Sequence, residues 1–217
     1  MISKVFTPNL VRVAAGRVLN HRATCPYTLH PEPHEITEDW LNSFLSEYKI
    51  ARNVPVEYRE DVVRILVKEQ PNIADLKAGD EERLLDIFHR IEHQIPDTRY
   101  KNFPSLVSKV IWAINPEGGI VYDRFASIGL WKVSKELAAG PSEKDVRTEN
   151  YQPYIRAWSE VFNSAGFRDI RDATGKWLES SFIGMKSSAA FERHLLDQCL
   201  VLCGMDALEA GKWRYLR

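Results

Sequence analysis

Lys109 and Asp123 are the two side chains whose type and setting best suit covalent chemistry. They sit in the stretch Phe103-Pro-Ser-Leu-Val-Ser-Lys-Val-Ile-Trp-Ala-Ile-Asn-Pro-Glu-Gly-Gly-Ile-Val-Tyr-Asp123. The pattern reads as an apolar helix carrying one lysine, a Pro/Gly turn, and an aspartate opening a second helix. An amine partly withdrawn from water is easier to deprotonate, and the free amine attacks a carbonyl or sugar carbon. A carboxylate at a helix N-terminus accepts backbone N–H bonds, stays ionised and can stabilise positive charge in a transition state. Together they suit Schiff-base or base-excision chemistry. Each also has an ordinary structural role, the lysine as a stem lying across the surface and the aspartate as a cap.

These residues need helices to hold them, and the sequence supplies a series. On a helix over 104–115, Leu106, Val107, Val110, Ile111, Ala113 and Ile114 cover a wide apolar arc, while Ser105, Ser108, Lys109 and Trp112 share the remaining stripe. Thr37 followed by Glu38 and Asp39 predicts an N-cap for a helix with Trp40, Leu41, Phe44, Leu45 and Tyr48. A further helix is expected from Pro55 to Pro71, one after Gly79, and one from Asp123 to Gly140. Others should run from Asn150 to Ala165 (ended by Gly166), from Arg168 to Phe182, and onward from Ser187. Residues 1–34, with short apolar runs and several prolines, read as an irregular, extended N-terminal arm ahead of a helical domain at 35–217. No strand alternation is sustained, so the expected class is all-α, a compact multi-helix domain.

Composition narrows the function classes. At 217 residues with 44% hydrophobic and 27% charged, the chain can bury a substantial core as one domain with an arm. No apolar run approaches the roughly 18 residues of a membrane span, and the N-terminus lacks a signal-peptide h-region, so a cytoplasmic monomer is expected. Three cysteines suggest reduced thiols rather than a disulfide framework, with Cys199 and Cys203 as core residues one helical turn apart. His21, Cys25, His30 and His34 could be combined into a zinc site, although scattered histidines on an irregular arm explain them more simply. No metal or cofactor is expected. A net charge of −1 excludes a protein coated in positive charge, but local basic stretches exist: Lys4, Arg12, Arg17 and Arg22 with no acidic residue between them, and the tail Lys212 to Arg217.

The order Ser108-Lys109 on a helix, then Asn115-Pro116, a turn, and Val121-Tyr122-Asp123 opening the next helix resembles the core of DNA glycosylases with the 8-oxoguanine glycosylase fold, members of the helix-hairpin-helix glycosylase superfamily. The resemblance covers about 25 residues, from Phe103 to about Leu130. It implies an all-helical fold, DNA carrying a modified base as partner, Lys109 as the nucleophile of a bifunctional enzyme, and Asp123 as the carboxylate assisting departure of the base. Where that family has hairpin glycines, this chain has Arg99-Tyr-Lys-Asn-Phe-Pro-Ser105. A flipped base needs stacking surfaces, for which Trp112, Tyr122, Phe125 and Trp131 are candidates. Arg99, Lys101, Ser105, Ser108 and Arg124 are candidates for phosphate contacts. DNA repair or phage defence would be the setting. The competing expectation is a non-catalytic helical interaction protein in which Lys109 is a surface stem and Asp123 only a cap.

Overall fold

The computed structural model describes residues 2–24, 35–48, 54–95, 103–134, 142, 144–145, 150–181 and 187–209, and every regular element among them is helical. This is the all-α class that the helical periodicity predicts. By its contacts the chain divides into two compact units, His30–Val121 and Met1–Leu29 together with Tyr122–Arg217. Among the described residues no helix is long and apolar enough to cross a membrane.

In the N-terminal segment the structure departs from the extended arm. Residues Ile2–Val5 form α1 and Pro8–Thr24 form α2. Pro8 takes the first helical position, where its missing N–H costs nothing, and Thr7 Oγ1 accepts from Leu10 N–H at 3.3 Å. Ala14, Ala15 and Val18 are fully buried. These small residues let α2 pack closely against the last helix, which is what the prolines and short apolar runs obscured.

The unit His30–Val121 contains α3 (Glu38–Glu47), a 3-10 turn (Val56–Tyr58), α4 (Arg59–Ala74), α5 (Glu81–Gln94) and α6 (Phe103–Ile114). Thr37 caps α3 as expected, its hydroxyl accepting from Trp40 N–H at 3.1 Å. Pro71 does not stop α4. It lies in the last turn, where the lost bond is one of few remaining, and its carbonyl accepts from Asp75 N–H at 3.2 Å. Leu66, Ile73, Leu84, Ile87, Phe88 and Ile91 pack the interior. At one edge Glu69, 3% exposed, receives Arg90 Nη2 at 3.0 Å and Asn72 Nδ2 at 2.9 Å. Burial alone would raise the Glu69 pKa, but the hydrogen bonds from Arg90 and Asn72 outweigh it and hold the carboxyl below its ordinary range.

The other unit adds α7 (Arg124–Ser134), α8 (Tyr151–Asn163), α9 (Ala165–Ser181) and α10 (Ala189–Glu209) to α1 and α2. The break between α8 and α9 is made by Ser164, not Gly166: its hydroxyl accepts from Phe167 N–H at 3.2 Å and donates to Val161 O at 2.7 Å, while Gly166 lies inside α9. Helix α10 is central. Leu195, Leu196, Cys199, Leu200 and Cys203 are buried, and so are Arg193, His194 and Asp197. A helix buried nearly all round must have neighbours on every side, and α2 and α7 provide two of them.

The approach of α7 to α10 rests on two glycines. A Cβ on Gly129 would overlap the Leu200 carbonyl oxygen, and a Cβ on Gly204 would overlap the Phe125 carbonyl oxygen. Each helix thus presses a glycine onto a carbonyl four residues before the other's glycine, a reciprocal contact that no other residue type permits.

Candidate functional site

The aspartate of the candidate pair does what its position predicts. Asp123 Oδ1 accepts from Phe125 N–H at 2.8 Å, and its carbonyl accepts from Ser127 N–H at 2.8 Å, so it caps α7 and is half-buried. Its neighbour Tyr122 is 1% exposed and joins two tyrosines of α8, with ring centroids 5.0 Å from Tyr154 and 6.1 Å from Tyr151, both edge-on. Burial raises the hydroxyl pKa of Tyr151 and Tyr154; for Tyr154 the negative charges of Asp197 and Asp123 add to it. Tyr154 therefore lies within electrostatic reach of two carboxylates, one at the head of α7 and one buried on α10. Arg193, buried on α10 with its guanidinium 4.8 Å from the Trp158 ring, opposes the shift at Tyr151. Sequence reading placed Tyr122 beside Asp123 but missed Tyr151, Tyr154, Arg193 and Asp197. Asp197 and Arg193 within the apolar run of α10 were the available signal, because charged residues at core positions need partners.

Phe125 is fixed from both sides. Its N–H goes to Asp123 and its carbonyl abuts Gly204, while its side chain is 38% exposed. Arg124 is exposed, and Trp131, two turns along α7, is half-buried.

The lysine lies in the other unit. Helix α6 is as buried as its apolar arc predicts: Leu106, Val107, Val110 and Ile111 are at most 1% exposed. The polar stripe is narrower than expected. Ser108 is fully buried with its hydroxyl turned back onto Ser105 O at 3.4 Å, and Trp112 is only 5% exposed, which leaves Ser105 and Lys109 half-buried. Lys109 is the sole charged residue of α6.

The turn after α6 is built by Asn115, whose part the sequence did not reveal. Its Nδ2 donates to Ile73 O, Ala74 O and Leu76 O at 2.9, 3.1 and 2.8 Å, satisfying carbonyls at the end of α4. Its Oδ1 accepts from Glu117 N–H and Gly118 N–H at 3.1 and 2.9 Å. Gly118 and Gly119 follow from that anchoring: a Cβ on the first would press on Leu76, and one on the second on the Trp112 backbone. One amide therefore holds the Pro/Gly turn against α4 and fixes where α6 ends.

Arg99, Lys101, Cys25, His30, His34 and the tail Lys212 to Arg217 lie outside the described residues. Among the described residues no group of three metal-ligating side chains assembles. Cys199 and Cys203 are buried free thiols; burial raises both, Cys203 to about 11, which suits core residues rather than nucleophiles. No protein-family profile, curated protein or solved structure matches this chain.

Proposed function

We propose that this protein is a DNA glycosylase that excises a modified base from a flipped nucleotide, with Asp123 as the carboxylate that stabilises the sugar as the base departs. The observation that carries the reading is the setting of Asp123: a half-buried helix cap held by a 2.8 Å bond from Phe125 N–H, next to the buried Tyr122. A carboxylate held by a backbone N–H is positioned before the reaction begins, as electrostatic stabilisation of an oxocarbenium-like sugar requires. The N-glycosidic bond breaks with its electron pair leaving on the base. The resemblance makes Lys109 the candidate amine for a lyase step: a lysine amine adds to the sugar carbon, one of its protons passes to the ring oxygen as the C1′–O4′ bond opens, and the resulting Schiff base permits elimination of the 3′-phosphate.

The test is incubation of the full chain with duplexes bearing undamaged, oxidised, deaminated or hypermodified bases, with a parallel borohydride set. Base release lost in Asp123→Asn, with helicity unchanged by circular dichroism, supports the reading. A borohydride-trapped adduct lost in Lys109→Gln adds lyase chemistry. Release without an adduct leaves a monofunctional enzyme resting on Asp123. No release from any substrate, with no DNA binding at low salt, overturns the proposal in favour of a helical interaction protein.

A further inference from the structure

Away from Asp123, the face where α1 and α2 meet α9 contains a half-open cavity of about 320 Å³. Its apolar surface comes from Phe6, Val11, Ile170 and Trp177. Phe6 is 2% exposed and held edge-on to Phe167 at 6.2 Å, so this wall is part of the core and is preformed. The size falls at the lower end of small-molecule sites, which run from about 300 Å³ upward.

Two charged side chains line this cavity, and they have opposite sign. Arg12 comes from α2 and Asp169 from α9, and both are exposed. Neither forms a hydrogen bond or ion pair with a described residue, and they do not pair with each other. Both can therefore meet a ligand without first breaking a contact to a described residue. A purely apolar occupant would leave both charges facing its body. A simple acid would satisfy Arg12 but bring its charge near Asp169, and a simple amine would do the reverse.

We propose that this cavity binds a small zwitterion with an apolar, aromatic body, of the class of aromatic α-amino acids. The carboxylate meets the Arg12 guanidinium, the ammonium meets the Asp169 carboxylate, and the ring lies among Val11, Ile170 and Trp177. This site does not depend on the glycosylase reading, because it uses none of the residues assigned there.

The experiment is calorimetric titration of the full chain with L-phenylalanine, 3-phenylpropionate, phenethylamine and glycine. Phenylalanine should bind, 3-phenylpropionate and phenethylamine should each bind about tenfold or more weaker for lack of one charge-assisted contact, and glycine should not bind. Arg12→Ala should weaken phenylalanine and 3-phenylpropionate but not phenethylamine; Asp169→Asn should weaken phenylalanine and phenethylamine but not 3-phenylpropionate. Both substitutions are on exposed side chains away from the packed core, so the fold should be retained. Absence of phenylalanine binding, equal binding of the three ring compounds, or insensitivity to both variants would each overturn the proposal.

Discussion

Mild acid should destabilise this protein through one histidine. His194 on α10 is 8% exposed, and its ring centroid is 5.0 Å from that of His21 on α2, at an interplanar angle of 88°. Burial, reinforced by the nearby His21 and Arg22, lowers its pKa from 6.5 to about 3. The unfolded chain therefore binds a proton that the folded chain refuses throughout that interval. Stability rises with pH there: the contribution is complete above the unfolded value and is lost as pH falls toward the folded one. The slope for one such group approaches about 1.4 kcal/mol per pH unit. From pH 6.5 to about pH 5, before most carboxylates titrate, the loss should reach roughly 1–2 kcal/mol, a substantial part of a typical 5–15 kcal/mol total. Urea unfolding followed by circular dichroism across that interval measures it. His194→Gln should remove most of the slope, and in the native chain the His194 imidazole resonances should stay unshifted down to about pH 5. An unchanged slope in the variant, or a resonance titrating near 6.5, would refute the assignment.

Other perturbations test separate parts of the fold. Gly204→Ala forces a methyl group onto the Phe125 carbonyl, where no side chain can rotate away; the overpacking should outweigh the gain in helix propensity and cost about 2 kcal/mol, seen as a lower urea midpoint. Gly16→Ala is the matched control, because nothing lies within 4 Å of that Cβ, and it should stabilise by about 0.5–1 kcal/mol in the same assay. Asn115→Asp keeps the two acceptor bonds but replaces the donor that serves three carbonyls; it should destabilise by about 2–3 kcal/mol, no less than Asn115→Ala. Thermal or urea unfolding of the two variants side by side decides whether donation or acceptance holds the turn.

Much of the fold was legible because helical periodicity and capping are local. Thr37, Asp123 and the apolar arc of α6 could be read from a few neighbouring residues, and the structure places all three as read. Most of what failed depended on partners distant in sequence, Pro71 being the local exception. Pro71 looked like a terminator, yet one lost bond near a helix end is tolerated. Residues 2–24 looked irregular because the small apolar face of α2 acquires meaning only against α10. At the candidate site, Asp123 was found through its cap motif. Asn115, Tyr154 and Asp197 were not, because amide donation across 39 to 42 residues and convergence of side chains from three helices leave no spacing in the sequence.

The reciprocal glycine contact also governs how the molecule can move. Helices that meet through ordinary side chains can ratchet by one turn, each knob dropping into the next hole. Here a one-turn slip would bring Cβ-bearing residues onto the carbonyls of Phe125 and Leu200, positions that only glycine fits. Sliding of α7 along α10 is therefore blocked in both directions, and the pair travels as a rigid body. Since Asp123 is bonded to the first turn of α7, any rearrangement that repositions this carboxylate must carry α10 with it or separate the two helices outright.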